Sequence, residues 1–145
     1  FFKNGAKLVW ARRTEGRKFT YTEKPMYGTA NLFFIKSNRV NLKYITALLN
    51  SNLMYFYMRE KLKHTGDLLQ IDKNQFMKIP LYVPLEINFF IEAVDKILEI
   101  TSQENYDSKN PPLKQKELEK QIDQMVYKLY DLTEEEIKIV ENEQL

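Results

Sequence analysis

The stretch LLNSNLMYFYMREKLKHTGD, residues 48–67, decides how this chain is read. Leucines and aromatics recur in it at helical spacing, yet three poor helix formers, Asn50, Ser51 and Asn52, sit in its middle. Upstream, Asn41 suits an N-cap, because its short side chain can accept from an unpaired amide of a first helical turn. From there Ile45, Leu48, Leu49, Leu53 and Phe56 repeat three and four residues apart, and the pattern predicts one helix over about 42–63. Ile45, Leu49, Leu53 and Phe56 are expected to face a small sheet. Asn50, Ser51 and Asn52 are tolerated inside a helix if their side chains bond locally or face a neighbouring loop. The helix ends basic, with Arg59, Lys61, Lys63 and His64, and Thr65-Gly66 reads as its stop.

Upstream of this helix lie strand patterns. AKLVWARR (6–13) and RKFTYT (17–22) carry β-favouring and aromatic residues, and Thr14-Glu15-Gly16 between them reads as a hairpin turn. A third strand is predicted in TANLFFIK, 29–36, followed by a loop at Ser37-Asn38-Arg39. Downstream, LLQI (68–71) reads as a short strand and Asp72 as the cap of a helical turn through Phe76. IPLYVP (79–84) is bounded by prolines, and Pro80 suits an edge strand or a turn entry.

The second half is helical in pattern. Ile87, Phe90, Ile91, Val94, Ile97 and Leu98 form one stripe over 85–101. A polar loop follows, and Leu118, Ile122, Met125 and Leu129 then make a heptad-like seam over about 113–130. Thr133-x-x-Glu136 is a capping box opening a last short helix through Val140. The expected fold is α+β, a small antiparallel sheet with one long helix, followed by a C-terminal antiparallel helical hairpin. The expected division is residues 1–84 and 85–145.

A chain of 145 residues is long enough to bury a core without disulfides or metal. It has no cysteine, which excludes a disulfide framework, a thiolate zinc site and a cysteine nucleophile. Its one histidine excludes a multi-histidine metal centre. No apolar run approaches the ~20 residues of a membrane span, and the start, FFKNGAKLVW, has no signal-peptide pattern. A cytoplasmic setting away from membranes fits these features. The start without Met reads as a cut from something longer. The net charge of +2 hides an asymmetry. Residues 1–80 hold 15 Lys and Arg against 5 Asp and Glu, net +10, while 81–145 hold 7 against 15, net −8. A polyanion partner for the basic half and uneven solvation without a partner both fit.

No complete active site is legible. Asn110-Pro111-Pro112 invites comparison with the motif by which amino methyltransferases grip a flipped base, but Leu113 offers no aromatic platform. A loop and a new helix start account for it. His64 has no triad partners that sequence can place, and Asp67 and Asp72 lack a third metal ligand. Glu134–Glu136 is acid suited to a first helical turn. Neither a catalytic nor a metal-binding residue is therefore expected. The basic groups remain. Lys7, Arg12, Arg13, Arg17 and Lys18 flank the hairpin, Lys36 and Arg39 flank the loop before the helix, and Lys61, Lys63 and His64 close it. Such groups neutralise phosphates, and arginine also reads guanine. A solvated surface charge is the better account of any one of them, and their concentration in one half of the chain is what supports a joint role.

ITALLNSNLMYFYMREKLKHTGDLLQIDKNQFMKIPLYVP (45–84), with LLNS inside a helix, a glycine after the aromatic-basic stretch, and Phe76-x-x-Ile79-Pro80-Leu81, resembles the TaqI-like C-terminal specificity domain of type II restriction-modification enzymes. The upstream KLVWARR…FTYT fits it too. The tail LEKQIDQMVYKLYDLTEEEIKIVE is similar to the closing helices of such enzymes and of type I specificity subunits. The resemblance implies recognition of a short duplex DNA target for an adenine-N6 methyltransferase region on the same polypeptide, which in many such enzymes also carries a nuclease. S-adenosylmethionine would belong to that upstream region, and these residues would be the last part of the protein. The C-terminal helices would then hold partner domains or the matching helices of a second subunit. Two rivals stand beside this reading. One is a type I specificity subunit segment whose seam is a spacer. The other is a protein-interaction module without a nucleic-acid role.

Overall fold

The computed structural model describes residues 5–15, 18–66 and 68–142. Six strands, β1 (Lys7–Ala11), β2 (Arg13–Glu15), β3 (Thr20–Thr22), β4 (Leu32–Ile35), β5 (His64–Thr65) and β6 (Leu68–Gln70), form two small sheets. Among the described residues six helices, α1 (Leu42–Leu49), α2 (Asn52–Lys61), α3 (Lys73–Phe76), α4 (Asn88–Thr101), α5 (Leu113–Leu129) and α6 (Glu134–Asn142), cover them. The first sheet has the order β3-β1-β4 and the second β2-β6-β5. Every pairing is antiparallel. The class is α+β with a helical C-terminal region, as the residue pattern predicts.

The two sheets share one continuous strand path that changes partners at Arg12. Its amide donates to Asn31 O at 2.8 Å on the first sheet's side, and its carbonyl accepts from Ile71 N at 2.8 Å on the second's. Thr14 and Glu15 consequently lie in β2, paired with β6, rather than in the expected turn. Gly16 is outside the described residues. Trp10 sits at the crossing, with its ring stacked on Phe33 and Phe76 and its Nε1 donating to Ile71 O at 2.8 Å.

The helix expected over 42–63 is two helices, broken at Asn50-Ser51. Asn41 caps α1 as anticipated, accepting from Tyr44 N at 3.1 Å. Asn50 ends α1, and its side-chain amide pairs with the Phe19 main chain in both directions, accepting at 3.0 Å and donating at 2.8 Å. Ser51 caps α2, its hydroxyl accepting from Met54 N and donating to Leu48 O at 2.6 Å. Asn52 N donates to Asp123 of α5 at 2.7 Å. These three polar residues therefore bind a strand edge, a helix start and a distant helix. The break also resets the helical phase. α1 packs on β1 and β3, whereas α2 buries Met54 and Met58 in place of the expected Leu53 and Phe56 face. Asn50→Ala is expected to cost roughly 1–2 kcal/mol, since it strands the Phe19 amide and carbonyl. Chemical denaturation followed by circular dichroism measures it.

α2 stops at Leu62, and Gly66 closes the β5–β6 hairpin instead of the helix. Thr65 and Leu68 are paired, which leaves two residues to reverse the chain. Gly66 takes φ +59°, a conformation that side chains disfavour.

The segment 78–82 forms no strand. Three tyrosine hydroxyls hold its alternate carbonyls: Tyr57 donates to Lys78 O at 2.9 Å, Tyr130 to Pro80 O at 2.8 Å, and Tyr44 to Tyr82 O. Burial, with Tyr130 and Tyr82 nearby, pushes the Tyr44 phenol well above its ordinary value of 10.0. Burial raises Tyr130 as well. A phenol that holds its proton more tightly folded than unfolded stabilises the fold fully below pH 10 and less as the pH climbs toward the raised value. The melting temperature is therefore expected to fall above about pH 10, and Tyr44→Phe to flatten that fall. Thermal melts from neutral pH into strong alkali report both.

α4 packs on α1 and α5, and α5 on α2. Leu118 and Ile122 of the heptad-like seam are buried, with Val126, in a cluster shared with Leu8, Trp10, Leu48 and Phe90. The seam is thus spent inside the chain, which leaves little of it for an inter-domain spacer. The capping box forms reciprocally: Glu136 N donates to Thr133 Oγ1 at 3.2 Å and Thr133 N to Glu136 Oε1 at 2.9 Å.

Candidate nucleic-acid interface

The second sheet has two unlike faces. Antiparallel partners directly opposite each other point to the same side. Thr14, Leu69 and His64 form one row across the sheet. Thr14 and Leu69 are 6% and 1% exposed, so this row faces the core. Arg13 stands opposite Gln70 in the next row. The Gln70 amide donates to Lys63 O at 2.9 Å, which continues that row to Lys63 at the start of β5. Side chains alternate along a strand, so Arg13, Gln70 and Lys63 share the outer face. Arg13 and Lys63 are exposed and Gln70 is half-buried.

Several bonds hold this face in place. Ile71 is tied twice, through its amide to Arg12 and through its carbonyl to Trp10. Asp72 caps α3 by accepting from Gln75 N at 2.9 Å, and Gln75 Oε1 accepts from Lys63 N at 3.3 Å. The hairpin thus rests on α3 and on the aromatic stack beneath it.

The structure groups some of the sequence-derived basic residues and separates others. Arg12 and Arg13 are exposed at the strand crossing, and Lys63 and His64 are exposed on the hairpin beside them. Lys61 is exposed in the last turn of α2, two residues before Lys63. Arg13 and Lys63 lie on the outer face of the second sheet with Arg12 and Lys61 next to them in the chain, whereas His64, although exposed, belongs to the Thr14–Leu69 row on the other face. Lys36 follows β4 near Gly5, at the opposite end of β1 from Arg12, and Arg39 is exposed in the next loop. Lys18 lies on the rim of an open groove of about 960 Å³ between β3, the α1–α2 break, α4 and α5. Arg17 is outside the described residues.

Lys7 is a correction. It is 0% exposed, and its ammonium donates to Gly5 O and Lys24 O at 2.8 Å each. Its place on β1 turns it inward, where it ties down the chain after β3. It is a structural cross-link and presents nothing to a phosphate. Gln70, in contrast, was not among the sequence candidates. Its signal was the glycine at 66, which, read as a hairpin turn, sets Lys63 and Gln70 across from one another.

Among the described residues no group of three or more His, Asp or Glu is placed to hold a metal ion. No described helix is long and apolar enough to cross a membrane.

The model of the TaqI-like C-terminal specificity domain matches residues 1–81, more than half of the chain, and the chain belongs to that family. With that membership goes a role in DNA sequence recognition in restriction-modification enzymes. No curated protein matches the chain.

Proposed function

We propose that this chain reads a short duplex DNA target on behalf of an adenine-N6 methyltransferase region of the same polypeptide, in the cytoplasm, with Arg12, Arg13, Lys61 and Lys63 as its DNA-facing set. S-adenosylmethionine serves that other region, and any cleavage is likewise carried out elsewhere. The observation that supports this most is the outer face of the second sheet, where exposed cations surround a half-buried amide on a rigidly supported hairpin. A three-stranded sheet places its outer strands about 10 Å apart. That width suits a major groove of about 12 Å, which admits a β-ribbon.

The test is binding of random-sequence duplex by the intact protein across a salt series. Four cations engaging four phosphates give a slope of about −3.6 in log affinity against log salt. Absence of binding at low salt would overturn the proposal. A transfer assay with labelled S-adenosylmethionine then separates adenine from cytosine as the methyl acceptor.

A further inference from the structure

We infer that Gln70 is a specificity-determining residue, which reads adenine in the major groove of the target. This rests on the proposed DNA-recognition function and adds to it the base that one side chain selects. β6 is the middle strand of its sheet, so Gln70 has a neighbour on each side, Arg13 and Lys63. Among the described residues its carboxamide makes no hydrogen bond, although its main-chain amide donates to Lys63 O. The side chains of Arg13 and Lys63 are likewise without a partner among the described residues.

The chemistry differs across this row. Guanidinium and ammonium groups only donate, so they suit phosphate oxygens or the guanine edge. A carboxamide both donates and accepts, and adenine presents the matching pair, the N6 donor and the N7 acceptor, in the major groove. The flanking cations anchor the backbone on either side while the amide meets the base edge between them. Leu68 and Thr65 continue the same face two residues along, and both are suited to a thymine methyl. Gln70 is on the side of the sheet away from Leu69, so its replacement leaves the core intact.

Bound duplexes are selected from a randomised pool with the intact wild-type protein, with Gln70→Ala, with Gln70→Glu and with the double variant Arg13→Ala/Lys63→Ala. The wild type is expected to enrich a motif containing an A·T position that Gln70→Ala loses, with discrimination there falling roughly tenfold and the remaining positions kept. Gln70→Glu, which only accepts, is expected to turn that position toward cytosine. The double variant weakens all sequences together and keeps the motif. An unchanged motif in both Gln70 variants would overturn this inference and leave DNA recognition standing. A wild type that enriches no motif would overturn both.

Discussion

Trp10→Ala is expected to destabilise the chain by about 3–5 kcal/mol. Trp10 is 4% exposed. Its ring centroid lies 4.6 Å from that of Phe76, 5.5 Å from Phe33 and 5.8 Å from Phe19. Alanine would leave a cavity bordered by all three rings, and a buried aromatic site relaxes only partly around such a loss. It would also strand Ile71 O, which accepts from the indole. Total stability of a domain this size is of the order of 5–15 kcal/mol, so the variant stands near the unfolding threshold. Trp10→Phe separates the two contributions, because it keeps most of the ring contact and loses the donor, at roughly 1–2 kcal/mol. This is the only tryptophan in the chain, so far-ultraviolet circular dichroism against urea is the suitable probe. A wild-type midpoint for Trp10→Ala would remove Trp10 from the core. The second sheet hangs on this residue through Ile71, so partial unfolding should also release the basic face before the helices.

Which parts of this were legible in the sequence follows from the range of the interactions. α1, α4, α5 and α6 carry their signals locally, in apolar stripes and in caps such as Asn41 and the Thr133–Glu136 pair. The α1–α2 break was hidden because leucines continue in register through it. Asn50 and Ser51 were conspicuous, but the partner that makes Asn50 a helix end is Phe19, 31 residues away. Gly66 reads locally as a helix stop. Only the pairing of Thr65 with Leu68 shows the hairpin turn. Lys7 shows the same limit from the other side. Its place beside the predicted hairpin put it among the candidate phosphate contacts, while a carbonyl 17 residues distant takes its ammonium inward. The candidate site follows this rule. Basic side chains were visible one by one, but strand register, a non-local property, sets Arg13 and Lys63 about Gln70 and sends Lys36 to the far end of β1.

Replacing Arg12 and Arg13 together with alanine is expected to weaken binding to random duplex roughly thirtyfold at 0.15 M salt and to make the salt slope shallower by about 1.8, if each arginine neutralises one phosphate. The fold should tolerate the change. Arg12 supports the crossing through its own amide and carbonyl, which alanine retains, and Arg13 contributes its backbone to the pairing with Gln70. Both side chains are exposed, and surface substitutions of this kind stay within about 0.5 kcal/mol. Lys36→Ala/Arg39→Ala supplies the comparison. It removes the same charge from the opposite end of β1, so it alters the general field around the protein but none of the contacts assigned to the second sheet. Long-range attraction alone would make the two double variants alike, with both effects fading above a Debye length of ~8 Å at physiological salt. Direct phosphate contacts would leave the Lys36/Arg39 slope close to wild type and flatten only the Arg12/Arg13 slope. Fluorescence anisotropy with a labelled duplex, titrated at several salt concentrations, distinguishes these outcomes. Unaltered binding by Arg12→Ala/Arg13→Ala at low salt would take the second sheet out of the interface.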